Sequence, residues 1–184
     1  MKNIKFSRLF AAALLVACFA FAGCKPQVEE VTVEKVIVVK ELSASNTIVG
    51  KWVDNYTSYN TYSTNPSDTY DCKISSNGVE TASYGVHNGP VYISMTSDNS
   101  GYLYYQFKSS ITGYDSSWNP FTVEATGKWG AIAFQNLTTD SVQMCDFADS
   151  TYELPETLEA CVKKYTKDAG SFENMITFTR PSAD

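Results

Sequence analysis

The sequence predicts an all-β fold: an antiparallel up-and-down barrel of about eight strands with one helix near the C-terminus. Short runs of alternating apolar and polar residues recur at regular spacing, which favours antiparallel strands over alternating strand–helix units. Asn77-Gly78 and Asn88-Gly89 are hairpin signals, because both central positions of a type I′ turn need positive φ. Tyrosine, serine and threonine are abundant, as suits half-buried strands.

The clearest strands flank the turn at 98–101. Apolar positions that share one face of a strand are Val91, Ile93 and Met95 before this turn, Leu103, Tyr105 and Phe107 after it, and Phe121, Val123 and Ala125 further along. A last strand from Met175 to Arg180 places Ile176 and Phe178 on one face. The alternation assigns residues to faces but does not say which face points inward.

One helix is predicted, beginning at Pro155, a residue that suits the first helical position. Its apolar stripe has the spacing i, i+3, i+4, i+7 and consists of Leu158, Cys161, Val162 and Tyr165. Acidic residues come early and lysines late, which complements the helix dipole. Gly170 supplies a C-terminal stop.

The N-terminus has the pattern of a bacterial lipoprotein signal. Lys2, Lys5 and Arg8 precede an apolar run from Leu9 to Ala22, and Cys24 follows where such proteins carry their acyl chains. An uncleaved membrane helix is the competing interpretation, but the run is shorter than the roughly 20 residues that a bilayer span needs. The sequence therefore predicts export and a lipid anchor on Cys24 in the cell envelope, with inner and outer membrane both open.

Three segments follow from this interpretation: a signal peptide at 1-23, a lipidated tether at 24-46 and a β-barrel domain at 47-184. The tether is rich in valine and charge, and a short coiled coil there is the alternative, although its heptads are not sustained. The full chain has a net charge of −6, and loss of three basic residues with the signal makes it −9. Such acidity argues against binding to nucleic acid and against electrostatic docking on anionic lipid.

Catalytic and metal-binding patterns are missing from the sequence. The one histidine, His87, stands beside Asn88-Gly89 and is interpreted as an exposed turn residue. Cys72, Cys145 and Cys161 have no zinc-ligand spacing, and an exported protein allows any of three pairings among them. We therefore expect no enzyme activity, no metal and no cofactor.

The segment Ile48-Val49-Gly50-Lys51-Trp52 resembles the entry motif of lipocalins and related lipocalin-like lipoproteins. In that family the tryptophan plugs the closed end of the barrel, and an arginine from a late strand packs over it. The resemblance implies structural roles for Gly50, Trp52 and Arg180, the one arginine that follows the signal peptide. A cation–π contact of this kind is worth roughly 0.5–2 kcal/mol.

Two later segments, 126–142 and 157–166, are similar to the C-terminal half of small uncharacterised spirochaete-type lipoproteins. Those have a G-K-W/Y-x-A-V strand, an N-L-T turn and an L-E-E-A-V-K helix, and here Gly127-Lys128-Trp129 begins the strand. The resemblance implies export, lipidation and a β-barrel-like domain, and it implies no activity. The chain departs from the pattern at Cys161 and across 147–153.

Two functions are compatible with these features. The first is a membrane-anchored protein that binds a small apolar or amphipathic ligand inside the barrel. The candidate interior residues are Trp52, Tyr105, Phe107, Phe121, Val123, Trp129 and Phe178. The alternative is a surface or periplasmic interaction or adhesion lipoprotein with a filled core, whose protein partner is unspecified. Its exposed aromatic residues are Tyr56, Tyr59, Tyr62, Tyr114 and Trp118.

Overall fold

The computed structural model describes residues 37–54, 70–81, 85–147, 151–172 and 174–181, and strands are its main secondary structure. The chain divides into two units, Met1–Lys35 and Val36–Asp184, and the described residues belong to the second. The signal peptide and Cys24 lie outside the described residues, as do the three loop residues Tyr56, Tyr59 and Tyr62.

Twelve strands lie in the described residues. They are β1 (Lys40–Glu41), β2 (Gly50–Asp54), β3 (Cys72–Ser75), β4 (Gly78–Thr81), β5 (Gly85–Asn88), β6 (Tyr92–Ser97), β7 (Ser100–Gln106), β8 (Ile111–Tyr114), β9 (Pro120–Val123), β10 (Trp129–Gln135), β11 (Ser141–Asp146) and β12 (Ile176–Thr179). Ten form one sheet in the order β1-β6-β7-β10-β11-β12-β2-β3-β4-β5, and β8 pairs with β9 as a separate hairpin. Every pairing is antiparallel. The predicted all-β antiparallel fold is confirmed.

The sheet is not closed into a barrel. Among the described residues no ladder joins β5 to β6, although these strands follow each other in the sequence. The start of β6 pairs instead with β1, Glu41 with Tyr92 and Lys40 with Ile93. Pro90, just before β6, also has no N–H to donate to a ladder. The predicted barrel of about eight strands is therefore corrected to an open sheet of ten.

The two Asn-Gly turns differ from their prediction. A tight turn joins Ser75 to Gly78, but φ is not positive at Ser76 or Asn77, so the turn is present without being type I′. Gly89 has φ +153° and follows β5, where it turns the chain toward β6 without forming a hairpin. The turn between β6 and β7 lies where the sequence places it.

The helix α1 (Leu158–Lys164) begins later than predicted. Thr157 is the N-cap, and its Oγ1 accepts a hydrogen bond from the backbone N–H of Ala160 at 3.1 Å. Pro155 therefore precedes the helix, and Gly170, at φ +72°, lies in a later turn and does not end it. The predicted stripe is buried at Cys161, Val162 and Tyr165, and the Cys161 thiol lies 3.6 Å from the Gly130 carbonyl of β10.

The core includes both faces of the central strands β7 and β10, where consecutive residues are buried, and strand partners elsewhere in the sheet also share buried side chains. Trp52 pairs with Cys72 and Ile74 with Val79, and the pairing continues from Val79 to His87 on β5. Its largest fully buried side chains include Trp52, Tyr104, Tyr105, Phe107, Phe134 and Tyr165. Large aromatic rings thus fill a substantial part of the interior.

Candidate functional site

Gly50, Trp52 and Arg180 form one unit, here called the tryptophan clasp. The guanidinium carbon of Arg180 lies 3.7 Å from the centroid of the Trp52 ring, so the predicted cation–π contact is present. Trp52 is 0% exposed, and its Nε1 donates to the Ile48 carbonyl at 2.9 Å. Gly50 has φ +137°, and a Cβ there would lie 2.1 Å from Arg180 Nη1. Only glycine leaves room for this arginine.

The guanidinium is also fixed by carbonyl groups. Arg180 Nη2 donates to Thr47 at 2.7 Å and Val49 at 3.1 Å, and Nε donates to Thr139 at 3.2 Å. Burial lowers the pKa of Arg180. An arginine stays protonated in proteins, so its charge remains available to the ring. The donors and the ring are thus used inside the fold, which makes the clasp a structural element.

Tyr105 and Phe107, two of the candidate interior residues, pack against each other at 5.4 Å between ring centroids. His87 joins them, stacked on Tyr105 at 5.3 Å and edge-on to Phe107 at 4.8 Å. The prediction that His87 is exposed is wrong: it is 1% exposed. His87 pairs with Val79, which places its side chain on the inner face. The neighbouring Asn88-Gly89 pair had indicated an exposed turn instead.

The other candidate interior residues lie elsewhere. Trp129 is half-buried, with its ring centroid 5.7 Å from that of Tyr92, and Phe178 is half-buried on β12, where it pairs with Asp54 of β2. Val123 is buried within the β8–β9 hairpin, whereas Phe121 on the same strand is 43% exposed and is therefore not an interior residue. The seven residues are distributed over the core, one outer surface and the hairpin.

In the described part of the chain, Cys72, Cys145 and Cys161 form no disulfide or metal site. Cys72 and Cys161 are free thiols, so none of the three disulfide pairings is formed, because each would need one of them. Burial raises the pKa of both thiols, that of Cys161 to about 12, which leaves them protonated and unreactive. Within the described ranges no three His, Cys, Asp or Glu side chains group as a metal site.

The most exposed aromatic side chains gather around the β8–β9 hairpin. We call Tyr114, Trp118, Phe121 and Tyr152 the aromatic tip. Trp118 is 81% exposed and Tyr114 49%, and their rings are 6.3 Å apart. Phe121 packs edge-on against Tyr152 at 5.2 Å. Three large exposed aromatic side chains, those of Tyr114, Trp118 and Phe121, thus lie on one short hairpin.

Strand register divides these rings between two faces of the hairpin. Tyr114 pairs with Pro120 and Thr112 with Thr122, and all four are exposed on the outer face. Gly113 pairs with Phe121 on the inner face, where a Cβ at Gly113 would lie 2.8 Å from the Phe121 ring. The inner pair supports the hairpin, and the outer face presents Tyr114 and Trp118.

Asp115 organises the turn that presents Trp118. Its Oδ1 accepts from the backbone N–H groups of Ser117 at 2.8 Å and Asn119 at 2.9 Å, and Oδ2 accepts from Asn119 Nδ2 at 3.2 Å. The Trp118 N–H donates to the Asp115 carbonyl at 3.0 Å. The backbone N–H and then the side-chain amide of Asn119, followed by the Ser117 N–H, lower the pKa of Asp115. The turn is therefore ordered before any partner arrives.

Two residues of the tip have left-handed backbone conformations. In the described chain only Trp118, Tyr152 and Asn136 combine positive φ with a side chain, at +62°, +54° and +54°. Asparagine tolerates this region, whereas a bulky aromatic residue there costs free energy. The Tyr152 hydroxyl accepts from the Tyr114 N–H at 2.9 Å, so this strain positions one tip residue against another. Strain of this kind concentrates at functional sites.

Sequence reasoning found part of this site. It named Tyr114 and Trp118 as exposed in the interaction hypothesis, and both are exposed. It placed Phe121 in the interior and did not include Tyr152, which comes from a segment 38 residues beyond its partner Tyr114. The signal that was available is the spacing of Asp115 and Asn119 on either side of a tryptophan, which is typical of an Asx-organised turn.

Comparison with known proteins identifies no relative: no family model, no curated protein and no solved structure matches the chain. No helix in the described residues is long and apolar enough to span a bilayer. Function is therefore inferred from the residues themselves.

Proposed function

We propose that the chain is an exported lipoprotein, anchored in the cell envelope through acylated Cys24, and that it acts as an interaction or adhesion module through the aromatic tip. The observation that carries the proposal is Trp118, which is 81% exposed on a turn ordered by Asp115. A large apolar side chain held in water by internal hydrogen bonds and a left-handed backbone has no stabilising role to explain it.

Ligand binding inside the sheet is less well supported. Trp52 is engaged by Arg180 and Ile48, while Tyr105 and Phe107 pack with each other and with His87. These rings complete a core, and small β-structures of this size are commonly filled by their own side chains. The described strands form an open sheet, in which β12 pairs with β2 and no ladder joins β5 to β6, so they enclose no barrel interior for a ligand.

The described chain enters the main sheet at one end and leaves it toward the β8–β9 hairpin at the other. β1 runs antiparallel to β6, so residues before Lys40 lead toward the turn that joins β6 to β7. The β8–β9 hairpin follows the opposite end of β7, seven residues and roughly 20 Å away at about 3.3 Å per residue. Residues 37–39 and the segment that leads into the β8–β9 hairpin therefore leave the main sheet at opposite ends of β6 and β7.

Site-specific photo-crosslinking in an exporting bacterium tests this function. A benzophenone amino acid replaces Trp118 in the full chain, and a matched chain carries it at Lys163, an exposed position on α1. We expect a crosslinked envelope component from position 118 that position 163 does not give. Equal labelling from both positions, or none from 118, contradicts the proposal. In parallel, Cys24→Ser is expected to release the chain from membranes, and continued membrane retention contradicts the lipid anchor.

A further inference from the structure

We propose that the partner of the aromatic tip is a neutral saccharide chain, with Trp118 and Tyr114 stacking on successive sugar rings. This inference rests on the proposed function and names the chemistry of its partner. The flat faces of pyranose rings carry C–H bonds, which are attracted to the electron-rich face of an aromatic ring. The two exposed rings are neighbours at 6.3 Å between centroids and tilted by 50°, so one chain can contact both.

The outer face of the hairpin supplies the polar groups that sugar hydroxyls need. Thr112 and Thr122 lie beside each other on the strands, and Ser116, Ser117 and Asn119 surround Trp118 in the turn, all of them exposed. Hydroxyl groups both donate and accept hydrogen bonds, as the hydroxyls of a sugar do. Aromatic rings bordered by small hydroxyl side chains match a ligand that has apolar faces and polar edges.

Charge excludes several other partners. Between Ile111 and Val123 the only charged residue is Asp115, and its carboxylate already accepts three hydrogen bonds within the turn. The hairpin has no lysine or arginine for a phosphate, a sulfate or a nucleic acid, and the full chain is acidic at −6. A neutral ligand fits this surface.

The arrangement of the rings favours a saccharide over a protein. Stable protein interfaces bury about 800 Å² on each side around a contiguous apolar centre. Here strand register places Tyr114 on the outer face and Phe121 on the inner one, and Phe121 packs with Tyr152. The apolar surface is thus divided into two pairs of rings and does not form one patch. Two rings on a polar face are enough for a chain of sugars.

The test uses the full lipidated chain in a detergent that has no sugar headgroup, with maltohexaose, cellohexaose and chitohexaose as probes. Acrylamide quenching of tryptophan fluorescence reports mainly on Trp118, because Trp52 is buried and Trp129 is half-buried. We expect at least one probe to protect Trp118, and Trp118→Asn to weaken binding of that probe by about tenfold or more, as measured by calorimetry. Asparagine tolerates the left-handed backbone and so preserves the turn.

Trp129→Phe is the matched control, since it removes a tryptophan that packs against Tyr92 away from the hairpin. It is expected to bind the same probe as tightly as the parent chain. Binding that Trp118→Asn leaves unchanged overturns the inference, as does failure of all three saccharides to bind. If position 118 crosslinks to a protein or a lipid while the saccharides do not bind, the saccharide inference fails and the proposed interaction function stands. If position 118 gives no specific crosslink, both fail.

Discussion

Trp52 and Trp118 show what one residue type does in two regions of this molecule. Trp52 is fully buried, donates its Nε1–H to a carbonyl and lies under the guanidinium of Arg180. Trp118 is 81% exposed and sits at φ +62° in a turn. The first has its whole ring in contact with protein, whereas the second presents most of its ring to solvent.

The difference in burial indicates that Trp52 stabilises the fold, whereas Trp118 is available for interaction. Full burial of an aromatic ring stabilises a fold because apolar area leaves water. An exposed ring in a left-handed conformation gives little of that gain and adds backbone strain. In the clasp, Gly50 leaves room for the Arg180 guanidinium that stacks on the Trp52 ring. At the tip, hydrogen bonds between Asp115 and Asn119 stabilise the turn. Substitution of Trp52 should therefore reduce stability, whereas substitution of Trp118 should reduce binding.

The largest effect is expected from Trp52→Ala. Loss of a fully buried ring should lower the free energy of unfolding by about 3–5 kcal/mol, because the cavity that remains is only partly refilled. Urea denaturation of the full chain, followed by circular dichroism, measures this. Trp118→Ala is the comparison and should stay within about 1 kcal/mol of the parent. Equal destabilisation by both substitutions would remove the distinction between clasp and tip.

A smaller loss is expected from Arg180→Lys. Lysine keeps the charge but has no planar fork, so the stacking on Trp52 and some donors to Thr47, Val49 and Thr139 are lost together. The free energy of unfolding should fall by about 1–3 kcal/mol. Gly50→Ala displaces the same guanidinium, since its Cβ would lie 2.1 Å from Nη1. The two changes should therefore be less than additive in a double-mutant cycle, and full additivity would mean that they act on separate contacts.

Trp118→Gly tests the strain at the tip. Glycine adopts φ +62° without a side-chain clash, so this variant should be more stable than Trp118→Ala by about 1 kcal/mol. Saccharide binding should be lost in both variants, because both lack the ring. If the glycine variant is less stable than the alanine variant, the left-handed conformation carries no strain at this position.

Much of the fold could be predicted because it follows from local patterns. Strand alternation around the turn at 98–101 and the apolar stripe at Cys161, Val162 and Tyr165 both appear in the structure. The open seam could not be predicted, since it depends on β1, two residues that pair with Tyr92 and Ile93 far along the chain. Such short edge pairing leaves no periodic signal in the sequence.

The site was predictable only in part, for a similar reason. The exposure of Trp118 could be predicted from its polar neighbours. The contact of Trp52 with Arg180 could be predicted from the short motif around Gly50 and from the presence of one arginine after the signal peptide. Phe121 and Val123 alternate with polar residues as the residues of core strands do, yet they belong to a hairpin outside the main sheet. Alternation specifies which residues share a face, and only tertiary pairing decides whether that face is covered.

The smallest expected effect concerns acid. Hydrogen bonds from the backbone N–H and side-chain amide of Asn119, and then from the Ser117 N–H, lower the pKa of Asp115 below its ordinary value of about 3.9. The ordering of the turn by this carboxylate is therefore fully present above about pH 4 and is lost as the pH falls through the lowered pKa of the folded state.

Amide chemical shifts of Ser117 and Asn119, measured by NMR in the full chain, should accordingly be constant from pH 8 down to about pH 4 and change only below it. Asp115→Asn, which carries no titrating carboxyl group, should abolish that change. It should also raise the mobility of Trp118, because one side-chain oxygen must then replace two acceptors. A change in these amide chemical shifts near neutral pH would mean that a different titrating group orders the turn. The presentation of Trp118, unlike the burial of Trp52, would then depend on something other than the Asp115 carboxylate.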